Sequence, residues 1–227
     1  MTSSRELLQR WQEYRGRYGA MHAAALYIGT RIPFTWKLFG PLVSRSYRTM
    51  WAKSAAPKIL NLGGGGNCLE GCLTVDVFPR ADSYVDLRKP LPFADKSIDG
   101  IFCEEVIEHL SSLDGEALLH QCLRIMKPGA VIRLTTPDLD WFCMSLINGA
   151  IDCGDINKIF YDHEHRYLYT RNELAAALRR RGFVEIRQSS YREPKSKRGG
   201  PGCLNRFSAS ISGVSAGVRL PSGMAVG

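Results

Sequence analysis

Long apolar runs are missing from this sequence. The longest candidate, residues 21–43, is broken by Arg31 and Lys37, whereas a membrane-spanning helix needs about 20 mostly apolar residues. Also missing is the short uncharged core of a secretory signal: Met1-Thr2-Ser3-Ser4-Arg5-Glu6 leads into a charged amphipathic stretch, so a cytoplasmic protein is expected. The seven cysteines, at 68, 72, 103, 122, 143, 153 and 203, include no CxxC pair and no zinc-ribbon spacing. They read as reduced, mostly buried thiols rather than as a disulfide framework or a structural zinc site. Extreme polarity is absent too. With 44% hydrophobic and 23% charged residues over 227 positions, the chain can bury roughly 70% of its unfolded surface, which excludes disorder as its main state.

Acidic residues are scarce overall, 22 against 30 Lys and Arg, for a net charge of +8. The shortage is confined to the ends. Residues 1–58 hold 10 basic and 2 acidic side chains, residues 59–178 hold 10 and 18, and residues 179–227 hold 10 and 2. An acidic middle flanked by basic ends does not suit a uniformly nucleic-acid-binding surface, so nucleic acid is not the expected partner.

Along the chain, Leu7, Leu8, Trp11 and Tyr14 or Tyr18 recur at helical spacing. The following segment Ile32-Pro33-Phe34-Thr35-Trp36-Lys37-Leu38-Phe39 is aromatic and basic, which suits packing on the main domain, covering a site, or resting on an anionic membrane. From Lys58 short apolar runs alternate with turns. Residues 58–62, 73–77, 83–86, 97–103, 130–135 and 183–187 read as strands, and their lack of strict alternation suits parallel strands covered on both faces. Leu118, Leu119, Cys122, Leu123 and Met126 form a helical stripe that stops at Lys127-Pro128-Gly129. Thr170-Arg171-Asn172-Glu173 has capping-box spacing ahead of a second helix, which ends at Arg179-Arg180-Arg181-Gly182. The expected fold is a Rossmann-like open, doubly wound α/β sheet with its ligand crevice at the carboxyl ends of the strands. Residues 1–57 form a basic helical extension, 58–190 the main domain and 191–227 a flexible basic tail with at most a weak edge strand near Phe207 to Val214.

Acidic residues close successive strands around the four glycines 63–66: Asp76, Asp86, and Glu104-Glu105. A carboxylate at the end of the second strand suits the two hydroxyls of a ribose, and glycines let backbone approach a ligand closely. A dinucleotide is the wrong ligand. The third glycine of the dinucleotide fingerprint is absent, Asp76 lies only 13 residues after Gly63, and the ten residues between Leu62 and Leu73 leave room for a single helical turn or none.

Five segments in order, Ile59-Leu60-Asn61-Leu62-Gly63-Gly64-Gly65-Gly66-Asn67, Leu73-Thr74-Val75-Asp76, Asp86 to Asp99, Glu104-Glu105-Val106-Ile107-Glu108-His109-Leu110 and Arg124 to Ala130, resemble class I S-adenosylmethionine-dependent methyltransferases, specifically the small type 11 branch with a shortened first helix. The resemblance covers about residues 58–190. It implies the strand order 3-2-1-4-5-7-6 and S-adenosylmethionine as methyl donor. It places Gly63 and Gly65 at the methionyl portion with Asn61 beside them, Asp76 at the ribose, Asp86 with Leu87 at the adenine, and Glu104 at the end of strand four. Asn61 stands where many members carry an acidic residue. A cationic donor also gains from an acidic middle segment. The implied acceptor is a small molecule or a glycan, free or lipid-linked. A hydroxyl acceptor needs a base, for which His109, Asp138, Asp140 and the cluster Asp162-His163-Glu164-His165 with Tyr167 are candidates. Each has a structural alternative as a cap or turn residue, and no metal is expected, since adjacent ligands on one loop are ordinarily solvated. The remaining alternatives are a methyltransferase-like module without catalysis and an RNA methyltransferase that uses the basic ends.

Overall fold

The computed structural model describes residues 11–12, 15–16, 19–192 and 205–212. The proposed helical spacing of Leu7, Leu8, Tyr14 and Tyr18 and the basic run 195–202 lie outside them. The chain divides into two compact units, Met1–Leu87 and Arg88–Gly227.

In the first unit, helices α1 (Ala20–Arg31) and α2 (Pro33–Lys53) precede strands β1 (Ile59–Leu62), β2 (Cys72–Asp76) and β3 (Ser83–Tyr84). The strands run parallel in the order β3-β2-β1, with Ile59 opposite Cys72 and Val75 opposite Ser83. Leu60, Leu62, Leu73 and Val75 are buried, as expected of a strand covered on both faces. No helix lies between β1 and β2, in agreement with the short spacing. Helix α2 covers the exposed edge that β3 would otherwise present: the Tyr84 N–H donates to Ser44 Oγ (2.7 Å), and Arg48 donates to Ser83 Oγ (2.9 Å) and the Tyr84 carbonyl (3.1 Å). Trp36 and Leu26 are buried where the two helices meet, with Val43, Tyr47 and Tyr84 packed around them.

The second unit contains β4 (Ile98–Glu104), a 3-10 turn (Ile107–His109), α3 (Ser112–Ile125), β5 (Met126–Pro137), α4 (Leu139–Ile147), α5 (Cys153–Tyr161), α6 (Arg171–Arg180), β6 (Val184–Arg192) and β7 (Asn205–Ser212). Here the order is β4-β5-β7-β6; β4 and β5 are parallel, and β7 runs antiparallel to both neighbours. Orders 3-2-1 and 4-5-7-6 are the two halves of the expected succession, and parallel strands combined with helices in each unit are those of a Rossmann-like α/β fold. One expectation fails. The segment read as at most an edge strand is an interior strand, paired from Val131–Ser212 to Pro137–Arg206 on one side and from Val184–Ser212 to Arg192–Asn205 on the other. Ladder bonds on both edges hold a strand of small residues whose propensity alone is weak.

Local signals account for the helices. Ser111 caps α3 by accepting from the Asp114 N–H (3.1 Å), and Leu118, Leu119, Cys122 and Ile125 are buried along it. Arg124, near its end, holds the preceding loop by donating to the carbonyls of Leu91 (2.8 Å) and Phe93 (3.0 Å). Thr170 caps α6 by accepting from the Glu173 N–H (3.2 Å), but Glu173 does not return the bond; its carboxylate takes the Tyr167 hydroxyl instead. The arginine run at the end of α6 is used for packing, since Arg180 and Arg181 both grip Glu116 of α3. Cys72, Cys103 and Cys122 are buried and Cys143 and Cys153 exposed; burial pushes the Cys72 thiol up to about 11 and that of Cys122 to about 12. Among the described residues no helix is long and apolar enough to cross a membrane.

Candidate functional site

In the first unit, β1 runs into the glycine loop, where Gly63 (φ 66°) and Gly65 (φ 55°) take left-handed backbone. The loop is pinned from both sides. Asp76, at the end of β2, accepts the Gly65 N–H on Oδ2 (2.8 Å) and the Phe78 N–H on Oδ1 (3.0 Å). Each oxygen keeps a lone pair, as two ribose hydroxyls require. Asn61 is buried and donates from Nδ2 to the Asn67 carbonyl (3.0 Å) and to Thr74 Oγ1 (3.2 Å). Its NH2 group therefore ties the loop together. Gly64 is a glycine because of that tie: an added Cβ would lie 2.3 Å from Asn61 Nδ2. At Gly65 an added Cβ would meet nothing within 4 Å, so the loop leaves open space there for a ligand. Asp86 and Leu87, just beyond β3, are half-buried. A carboxylate with spare lone pairs beside an open glycine backbone fits the ribose and methionyl parts of S-adenosylmethionine.

In the second unit, Glu104 ends β4 and pairs with Arg133 of β5 (2.6 Å). The chain turns sharply at Glu105 (φ 54°), whose N–H donates to the Thr135 carbonyl and whose Oε1 accepts from Thr135 Oγ1, each at 3.0 Å. Glu108 follows in the 3-10 turn, fully buried. Its carbonyl accepts the N–H groups of Arg166 (2.7 Å) and Tyr167 (3.1 Å), and this docks the loop after α5 onto the turn. Docking brings the histidines together. The His165 ring lies 4.8 Å from that of His109, edge to face, and stacks on His163 at 5.6 Å. Burial, reinforced by the Glu105 charge, raises the Glu108 carboxyl to about 8, and burial beside two other imidazoles lowers His165 to about 4.

Of the acid–base candidates, His109 and His163 thus belong to one cluster, together with His165. Asp138 does not. It is buried, caps α4 by accepting the Asp140 N–H on Oδ1 (3.1 Å), and on Oδ2 takes Nε (2.7 Å) and Nη2 (2.6 Å) of Arg171. Asp140 accepts the Arg171 N–H (2.9 Å), and Asp162 closes the end of α5. Sequence reasoning passed over Glu108 itself; the available signal was a carboxylate placed directly before a histidine in the turn after an acidic strand end. A cavity of about 570 Å³, lined by Lys96, Arg124, Met126 and Lys127, opens at the starts of β4 and β5, away from all of these residues.

A Rossmann-like sheet, an open glycine loop pinned by the carboxylate at the end of β2, and an acidic end to β4 together define a class I S-adenosylmethionine-dependent methyltransferase. The chain belongs to the methyltransferase domain family, whose model matches residues 46–188. No curated protein matches it. In fold it is similar to a SAM-dependent methyltransferase from Archaeoglobus fulgidus, with 17% identity and a TM-score of 0.50 over 74% of this chain and 91% of that one. It is also similar to a chain from the complex between the Haloferax volcanii Trm112 methyltransferase activator and a methyltransferase, with 13% identity and a TM-score of 0.51 over 85% of this chain and 97% of that one. The protein is an enzyme, and S-adenosylmethionine is its methyl donor.

Proposed function

We propose that the chain methylates a hydroxyl group of a small molecule or of a glycan, free or lipid-linked. The observation that carries this reading is the cluster of His109, His165 and His163 beyond the carboxyl end of β4. A hydroxyl, unlike a neutral amine or a thiolate, must lose its proton as it is methylated, and an imidazole is the natural acceptor near neutral pH. When bound, S-adenosylmethionine supplies an already activated methyl group. The task of the protein is then alignment, worth up to about 7–11 kcal/mol in favourable cases. The proposed donor contacts in the first unit are Gly63, Gly65, Asp76, Asp86 and Leu87, and in the second unit Glu104. Asn61 holds the loop through its amide hydrogens, which are committed to Asn67 and Thr74, and has Oδ1 as the group to meet the donor's ammonium. His109 and His163 stand at the acceptor, and exposed His163 takes the proton. Asp138 is structural, since Arg171 and the Asp140 N–H occupy its oxygens.

We further propose that the N-terminal helices touch an anionic lipid surface. Phe34, Leu38 and Leu42 follow one another at four-residue steps on α2 and are 57–71% exposed, with the exposed cations Lys37, Arg45 and Lys53 on the same helix. An exposed apolar stripe of this kind serves a lipid surface better than a nucleic acid, for which charge alone suffices.

Calorimetric titration with S-adenosylmethionine and its demethylated product tests the donor assignment. Asp76→Ala is expected to weaken binding at least about 10-fold, the loss of one charge-assisted hydrogen bond. Undisturbed binding would overturn the assignment. Transfer of labelled methyl from the donor to a panel of hydroxylated small molecules and glycans tests the acceptor, and transfer to RNA alone would refute it.

A further inference from the structure

Methyl transfer to a hydroxyl by an imidazole base leaves Glu108 without a role. Its side chain is fully buried, and neither carboxylate oxygen makes a hydrogen bond of good geometry, although Thr136 and Glu105 lie beside it. His165 Nδ1 and Thr136 Oγ1 are likewise buried without a hydrogen-bond partner. Unpartnered polar atoms of this kind are costly in a folded interior, and a cluster of them points to a ligand that completes it. Glu108 and His165 converge with His109. One ligand atom each from Glu108, His109 and His165 lies within 4.8 Å of the other two. Two imidazoles and a carboxylate are a donor set for Zn2+ and its neighbours Co2+ and Mn2+, and three protein ligands leave a position open, as catalytic rather than structural sites do. Donors placed tetrahedrally about 2.1 Å from one ion stand about 3.4 Å apart. Closure by up to about 1.4 Å, from 4.8 Å to the separation donors have around one ion, is within reach of side-chain rotation at exposed His109 and at half-buried His165. The backbone already holds the frame, because the Glu108 carbonyl anchors the Arg166 and Tyr167 N–H groups and so fixes the loop that carries His165.

We propose that Glu108, His109 and His165 form a binding site for one divalent transition-metal cation of the zinc class, with a coordination position open to the acceptor oxygen. The second half of this statement rests on the methyl-transfer reading. The ion polarises the acceptor hydroxyl, the O–H bond breaks with its proton passing to His163, and the oxygen bonds to the methyl carbon. The carbon–sulfur bond breaks in the same step, its electron pair staying on sulfur. His109 is then a ligand rather than a base.

The full-length chain without an affinity tag, stripped with chelator, is titrated with Zn2+ by calorimetry and with Co2+ by visible absorption. The expected result is one ion per chain, with weak cobalt ligand-field bands and no intense thiolate-to-cobalt band. Glu108→Gln and His165→Ala are each expected to weaken binding by at least about 100-fold, the upper end of what loss of a merely supporting residue costs. Their far-ultraviolet circular dichroism and their titration with S-adenosylmethionine should match the parent. If Glu108→Gln does not fold, His165→Ala decides alone. Absence of a bound ion, an intense thiolate band placing cobalt on cysteine, or affinity unchanged in the variants overturns the metal site. Failure of the parent to bind S-adenosylmethionine sinks the donor assignment and leaves the cobalt result standing, so the two ideas fail separately.

Discussion

Replacing Asp138 separates a structural carboxylate from a catalytic one. In the folded chain it stands at the corner between β5 and α4 with its side chain fully buried; it accepts hydrogen bonds from the Asp140 N–H and from Arg171 Nε, and Arg171 Nη2 completes the ion pair at 2.6 Å. Asp138→Ala removes an N-cap, which costs about 1 kcal/mol, and strands one partner of a buried ion pair, which costs about 3–5 kcal/mol. The lower end applies, because the Arg171 side chain is 39% exposed and turns to water when its partner is lost. A total of about 3–4 kcal/mol, at about 2–4 °C per kcal/mol for a chain of this size, lowers the melting temperature by about 6–16 °C. Asp138→Asn keeps the cap but loses the charge, so it should fall between Ala and the parent. Calorimetric melting measures the first quantity, and methyl-transfer rates taken well below the transition measure the second. Loss of a general base costs about 10²–10⁴-fold in kcat with stability intact. If Asp138→Ala melts within about 2 °C of the parent while its rate collapses, the structural assignment is refuted.

The two adjacent loop glycines should fail in different ways. Gly64→Ala drives a Cβ to within 2.3 Å of Asn61 Nδ2, so it should destabilise by about 1–3 kcal/mol in urea titration. Gly65→Ala meets no atom but sits at φ 55°; it should cost about 1 kcal/mol of stability and act chiefly on donor affinity. Equal effects of the two on donor binding would contradict the division. His22 sets a pH dependence. It is buried against Trp36 and Tyr47, and burial lowers its pKa below 6.5 despite the Val43 carbonyl that opposes the shift. Below pH 6.5 the unfolded chain binds a proton that the folded chain resists, so stability falls as pH drops and levels off beneath the folded pKa. His22→Phe should flatten this part of the slope in urea midpoints compared at pH 7.5 and 5.5, and an unchanged slope would count against it. Finally, vesicles containing phosphatidylglycerol should sediment the chain, Leu38→Asp with Leu42→Asp should abolish this, and sedimentation by neutral vesicles alone would refute the anionic preference.

What could be read in the sequence was whatever depends on neighbouring residues. The apolar runs of β1, β2 and β4, the Thr170 cap and the absence of a helix after the glycines are local matters, and they appear where the spacing put them; β5 instead begins at Met126, so Met126 leaves the helical stripe and Lys127-Pro128-Gly129 lies within the strand. Less legible are the side chains that take a partner outside the expected local pattern. Glu173 has the position of a reciprocal cap but bonds the Tyr167 hydroxyl. Asn61 occupies a donor-contact position, yet its two amide hydrogens are taken by Asn67 and by Thr74 across the sheet. Strand β7 has little propensity of its own and is held by two ladders, a property of β5 and β6 as much as of its own residues.

The histidine cluster shows the same limit in its sharpest form. In the linear chain Glu108 and His109 belong to a turn after β4, while His163 and His165 belong to a solvated-looking loop more than 50 residues later, and each group has an ordinary explanation as a surface feature. The reason they meet is carried by no side chain. Two backbone N–H groups of the later loop find the Glu108 carbonyl, and the docking that follows places His165 beside His109, next to a Glu108 carboxylate that makes no hydrogen bond of good geometry. Adjacent ligands in one loop argued against a metal because water solvates such loops. The proposed site differs from such a loop cluster: two of its three ligands come from the turn after β4, and burial takes the Glu108 carboxylate out of water, a cost that a bound cation would offset.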